Sequence, residues 1–109
     1  MTLAITGGRF KGMRLDTPSG KGVTRPTSGK VRQALFNILA GTIAGVDFLD
    51  LYAGSGAVGL EALSRGCRSA ILVENHPAAW KCLAGNCLRM TEKGADPATL
   101  IRVREEARD

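Results

Sequence analysis

A chain of 109 residues carrying a formal charge of +5 is one modest globular unit, long enough for one core and too short for two domains. No apolar run approaches the roughly 18 residues of a membrane span, and no apolar leader follows basic residues at the N-terminus, so a cytoplasmic protein is expected. Cys67, Cys82 and Cys87 are odd in number and lack paired ligand spacing, which argues against a disulfide framework or a metal centre and makes Cys87 a small core residue.

The charge is unevenly spread. Residues 1–46 hold seven basic groups (Arg9, Lys11, Arg14, Lys21, Arg25, Lys30 and Arg32) against Asp16 alone, whereas residues 47–109 hold eight basic and nine acidic groups. A clustered positive field of this kind suits a phosphate backbone; a merely solvated basic face is the alternative.

In chain order, Thr2 to Leu15 predicts a hairpin around Gly7-Gly8, with Ile5, Phe10, Met13 and Leu15 as its apolar points. Arg9, Lys11 and Arg14 interleave with these and are candidates for phosphate contact, or else guard an edge strand. Asp16 to Thr27, rich in Pro and Gly, is a loop in which Pro26 biases Arg25 toward extended backbone and aims its guanidinium. Thr27 or Ser28 then caps a helix over Ser28–Ala40, expected to bury Val31, Leu35, Ile38 and Leu39 and to stop at Gly41.

The centre of the chain is a buried strand, Asp47 to Leu51, running into Gly54-Ser55-Gly56-Ala57-Val58-Gly59 and a helix over Val58–Arg65. Gly54 permits a tight turn, Gly56 lets backbone N–H groups approach a ligand, and Gly59 lets the helix pack closely on the strand. Twenty residues after Gly54, the apolar run 70–73 ends in Glu74, placed to accept hydrogen bonds from ribose hydroxyls. Asp50, four residues before Gly54, separates two cofactor classes. A nicotinamide fingerprint is usually entered by an apolar run, whereas a carboxylate there suits the cationic amine of S-adenosylmethionine, unless Asp50 only satisfies the turn's N–H groups. Pro77 opens a further helix burying Trp80, Leu83, Ala84, Cys87 and Leu88. His76 reads as its entry residue and Trp80 as core more than as a base-stacking platform. Thr99 to Val103 is a third strand.

At this point the run from Asp50 to Gly66 resembles the first motif of the RsmD family, bacterial methyltransferases that modify a guanine exocyclic amine in small-subunit ribosomal RNA. Thr24-Arg25-Pro26-Thr27 with Val31 to Leu39, and Ile5 to Gly12, look like the family's other signatures. The resemblance implies an α/β fold: the N-terminal half of a Rossmann-like class I S-adenosylmethionine-dependent methyltransferase, preceded by a basic β-hairpin. It implies two parts, an RNA-facing segment over 1–46 and a cofactor-binding half over 47–109. It assigns Asp50, Ala53, Gly54, Ser55, Gly56, Gly59 and Glu74 to the cofactor, with Asn75 beside the adenine ring and Glu106 on its amino group. Arg9, Lys11, Arg14, Arg25 and Thr27 are implied to face the substrate, ribosomal RNA or the assembling small subunit, with no membrane and no metal involved.

The family's Asp/Asn-Pro-Pro-Tyr/Phe motif would hold and stack the target base, and this chain has no Pro-Pro. No catalytic residue is therefore expected, and the chain reads as a fragment, a truncated frame or one half of a split enzyme. Its motif-bearing strand is then expected to be an unpaired edge. The alternatives are a non-enzymatic product that binds RNA or S-adenosylmethionine, and a nicotinamide-dependent oxidoreductase half-domain.

Overall fold

The computed structural model describes residues 3–18 and 27–104. Three short parallel strands carry the molecule: β3 (Asp47–Asp50), β4 (Ser69–Val73) and β5 (Leu100–Val103), in the spatial order β3-β4-β5. Parallel strands require crossovers, and two helices supply them, α2 (Ala57–Ser64) between β3 and β4 and α3 (Pro77–Glu92) between β4 and β5. Upstream lie a two-stranded antiparallel ribbon, β1 (Leu3–Ala4) with β2 (Arg14–Leu15), and helix α1 (Gly29–Ile38).

One core unites these pieces. Ile5, Phe10, Met13 and Leu15 of the hairpin pack with Phe36 of α1, Leu60 of α2, Leu72 of β4 and Leu83 and Met90 of α3. The predicted apolar points of the hairpin are thus all buried. Its turn is longer than a paired-glycine turn, however: Gly12 N–H donates to Ile5 O, and Thr6 to Lys11 form the loop. Gly8, at φ 83°, lets this loop lie against the C-terminal end of α2, where Arg9 N–H donates to Ser64 O at 2.8 Å.

Helix α1 starts as expected, with Ser28 Oγ accepting from Val31 N–H, but it is turned relative to the predicted face. Arg32 and Phe36 point inward and are fully buried, while Val31, Leu35 and Ile38 are exposed. The reason is an ion pair. Arg32 Nε lies 3.2 Å from Glu61 Oε1, and Glu61 is itself fully buried on α2. The same carboxylate accepts from Thr6 N–H (2.9 Å), Gly7 N–H (3.0 Å) and Arg65 Nε (2.8 Å). Arg32 in turn donates to Thr27 O at 2.8 Å and to Ala4 O. Burying two unpaired charges is prohibitive, so hairpin, α1 and α2 are held in the one arrangement that satisfies both.

Two further expectations are corrected. Leu88 faces solvent and Trp80 is only half-buried; Asn86 is buried in their stead, its amide donating to Asp16 O and Ser55 O while Asp16 N–H donates back to it. The apolar run of β3 is not buried as its composition suggests: Leu49, with Leu51 and Tyr52 just after the strand, is exposed, and β3 lies at the sheet edge, as expected of a chain without the family's later strands. Arg68 and Ser69 hold Asp47 at the start of this edge, and their hydrogen bonds pull its carboxyl down to about 2.

Candidate cofactor-binding site

The carboxyl ends of β3 and β4 converge on the glycine loop, the place where open α/β sheets bind ligands. Ala53 N–H donates to Val73 O, and Gly56 N–H donates back to Ala53 O, closing a turn that requires positive φ at Gly54 (57°) and Gly56 (91°). The turn spends the Gly56 N–H internally, so the sequence-based role of Gly56 as the point of backbone approach changes. What a side chain there would strike is Leu83 of α3, whose Cδ1 lies 2.6 Å from the position of a Cβ. Gly54 is the open position, with nothing within 4 Å of where a Cβ would stand. Gly59 has its expected role: a Cβ would collide with the Leu72 side chain of β4.

Glu74 follows β4 directly and folds back onto the loop. Its Oε1 accepts Gly54 N–H at 2.7 Å, and its Oε2 accepts the N–H groups of Asn75 (3.1 Å) and His76 (2.9 Å). Three backbone donors thus fix the carboxylate at the rim of the loop. Two oxygens provide about four acceptor sites, so one stays available to a ligand hydroxyl. Asp50 is half-buried at the end of β3 and accepts Tyr52 N–H at 3.3 Å; the Gly59 N–H also faces it. Burial raises the Asp50 carboxyl above the ordinary carboxylate range, and the neighbouring Glu74 charge adds to this while the two backbone N–H groups oppose it. Among the described residues no Lys or Arg pairs with either acid.

The structure therefore brings Asp50, Ala53, Gly54, Ser55, Gly56, Gly59, Glu74 and Asn75 to one loop cluster. Arg9, Lys11 and Arg14 are exposed on the hairpin, whose loop packs on the opposite end of α2 from the glycines. Thr27 sits at the entry of α1, its carbonyl held by Arg32. Arg25 and Glu106 lie outside the described residues. Asn86 was missed by periodicity: an Asn on an otherwise apolar helix face gives no signal until its partner, the Ser55 carbonyl in the loop, is in place. Burial pushes the thiols of Cys67 and Cys87 up to about 11, the behaviour of packing residues rather than nucleophiles. No metal-ligating cluster and no helix long and apolar enough to cross a membrane occur among the described residues.

A parallel sheet with crossover helices, a glycine turn after its first strand and an acid at the tip of the second define the α/β topology of class I S-adenosylmethionine methyltransferases, here preceded by an antiparallel hairpin. The chain belongs to the family described as Conserved hypothetical protein 95, whose model matches residues 3–108. It is 45% identical over 84 residues to the Escherichia coli K12 protein named Ribosomal RNA small subunit methyltransferase D, covering 77% of this chain and 42% of that protein. Among solved structures it resembles the candidate methyltransferase yhhF of Escherichia coli (TM-score 0.77, 36% identity, 95% of this chain and 52% of that one). It also resembles a hypothetical protein of Thermus thermophilus, TTHA0928 (TM-score 0.75, 37% identity, 94% and 55%). These matches bear out the resemblance to RsmD-type methyltransferases; the chain spans less than half the length of that curated relative.

Proposed function

We propose that this chain is the cofactor-binding part of an S-adenosylmethionine-dependent methyltransferase acting on a guanine exocyclic amine of small-subunit ribosomal RNA. The observation that carries the reading is the pair of carboxylates flanking the glycine loop. Glu74 is held by three backbone N–H groups with one acceptor site to spare, which suits a ribose hydroxyl. Asp50 is desolvated beside a like charge without a cationic partner among the described residues, which suits an arriving ammonium group. A ligand presenting a ribose hydroxyl at one end and a cation at the other meets both needs.

Bound S-adenosylmethionine supplies an electrophilic methyl group. The residues of this chain bind and orient: Asp50 takes the amino-acid end, Glu74 the ribose, Asn75 and Glu106 the adenine, while the turn from Ala53 to Gly56 keeps side chains clear of the approach. Arg25 and Thr27 face the target nucleotide; the bond from Arg32 to the Thr27 carbonyl fixes that end of the segment. Positioning of this sort is the principal contribution expected of such an enzyme, because methyl transfer to an amine needs alignment more than acid–base assistance. The RNA partner is supported by the names its relatives carry, ribosomal RNA small subunit methyltransferase D among them, and by the basic N-terminal part.

Titration calorimetry of the purified chain with S-adenosylmethionine, S-adenosylhomocysteine and NAD tests the reading. Saturable binding of the first two and none of NAD is expected. Binding of NAD alone would favour an oxidoreductase half-domain and overturn the assignment.

A further inference from the structure

The face of α3 turned toward the hairpin carries charge that the division of the sequence at residue 46 conceals. Asn86, Arg89 and Lys93 recur at helical spacing and share that face. Asn86 binds Asp16, Arg89 Nη1 donates to Arg14 O at 2.7 Å with Nη2 3.1 Å from Asp16, and Arg9 Nη2 donates to Gly94 O at 2.9 Å. Arg9 and Arg89 thus act as staples. They draw the hairpin and the last turn of α3 into one surface, on which the side chains of Lys11, Arg14 and Lys93 make no hydrogen bond or ion pair with any described residue. Five positive charges stand here against Asp16, already neutralised by Arg89, and Glu92, leaving a net charge of three.

The surface also has a direction. Its lower end is at Lys93 and the loop 8–11. Its upper end is at Asp16, which shares Asn86 with the Ser55 carbonyl of the glycine loop. From Asn86, which anchors Asp16, to Lys93, a rise of about 1.5 Å per residue covers roughly 10 Å. We propose that Lys11, Arg14 and Lys93 form a phosphate track leading away from the cofactor loop, and that its ligand is an extended RNA strand rather than a nucleotide. At about 3.4 Å per phosphate along a helical strand, roughly three nucleotides span the distance, one for each of the three side chains. The inference rests on the RNA reading above and adds α3 to it.

Salt titrations of a labelled single-stranded RNA oligonucleotide binding to the full chain test this. Each phosphate contact contributes about 0.7 to the slope of log K against log salt for a single strand. Lys93→Gln is expected to flatten the slope by about that amount, Lys11→Gln equally, and Lys11→Gln, Arg14→Gln and Lys93→Gln together by roughly two units. Arg102→Gln is the control: it removes one charge from the opposite side of α3, where Arg102 lies 5.4 Å from the Trp80 ring centre. Trp80 precedes Arg89 and Lys93 by about 13 and 20 Å of helix rise, more than the Debye length of about 8–10 Å at moderate salt, so the slope should hold. Circular dichroism of each variant verifies folding. A slope unchanged in Lys93→Gln but reduced in Lys11→Gln would confine RNA to the hairpin and sink the track while leaving the RNA reading intact. Equal effects of Lys93→Gln and Arg102→Gln would reduce the track to net charge. Absence of any salt-dependent RNA binding would overturn both the track and its RNA partner, with cofactor calorimetry still judging the cofactor independently.

Discussion

Replacing Glu61 by Ala should be among the most damaging single changes available to this chain. Four donors converge on its carboxylate: Thr6 N–H, Gly7 N–H, Arg32 Nε and Arg65 Nε. Its removal leaves Arg32 at 0% exposure without a counter-charge. Breaking a buried pair from one side costs about 3–5 kcal/mol. The N–H groups of Thr6 and Gly7 are only partly buried and can find water, so together they add about 1 kcal/mol, the low end for orphaned donors. A loss of about 4–6 kcal/mol is comparable with the whole stability of a small domain, roughly 5–15 kcal/mol. Glu61→Gln keeps one acceptor oxygen and should lose about half as much. Urea unfolding followed by Trp80 fluorescence, the single tryptophan, and by circular dichroism is the assay. A double-mutant cycle with Arg32→Met should fall short of additivity by about 1–3 kcal/mol, because the second change removes the charge the first left stranded. Although burial alone raises the Glu61 carboxyl, the hydrogen bonds from Arg65, Thr6 and Arg32 bring it below its ordinary value of 4.5. Its contribution to stability is therefore present above that value and lost as pH falls through the lower folded one, and Glu61→Gln should blunt this acid loss. A cost below about 1 kcal/mol for Glu61→Ala, or strict additivity in the cycle, would refute the account of a shared buried ion cluster.

Other expectations concern the loop cluster. Asp50→Asn should raise the thermal midpoint of the free chain at neutral pH, since a carboxyl held above its ordinary range stabilises the fold only while protonated and loses that contribution as pH rises through its folded value. The same change should weaken S-adenosylmethionine, and calorimetry showing unchanged affinity would remove Asp50 from the site. Glu74→Ala should cost about 1–3 kcal/mol in cofactor binding, and Glu74→Gln, which can still accept Gly54 N–H, should recover part of it in the same titration. Gly59→Ala should destabilise by about 1–3 kcal/mol in urea unfolding, because the added methyl collides with the fully buried Leu72; a neutral result would mean α2 lifts from β4 without penalty.

What the sequence determined by itself is local. A glycine turn after an apolar strand, a glycine where helix must touch strand and an acid at the next strand's tip are dictated by backbone sterics and by a span of some twenty residues. Gly54, Gly59, Glu74 and Pro77 accordingly stand where their spacing placed them. The start of α1 at Ser28 was legible for the same reason, since a cap is a contact between near neighbours. The rotation of α1 was not. The stripes Val31-Leu35-Ile38 and Arg32-Phe36-Leu39 lie about 100° apart on one helix, and composition favours the first. The second is buried because Arg32 finds a carboxylate 29 residues away, a choice no window of sequence contains. Asn86 and the inversion of Leu88 follow the same rule: the buried face of α3 is selected partly by an amide that reaches Asp16 and Ser55. Tertiary structure alone also joined Arg89 and Gly94 to the hairpin. Charges sum along a chain, but a field that a polyanion can use is made only where folding sets them side by side.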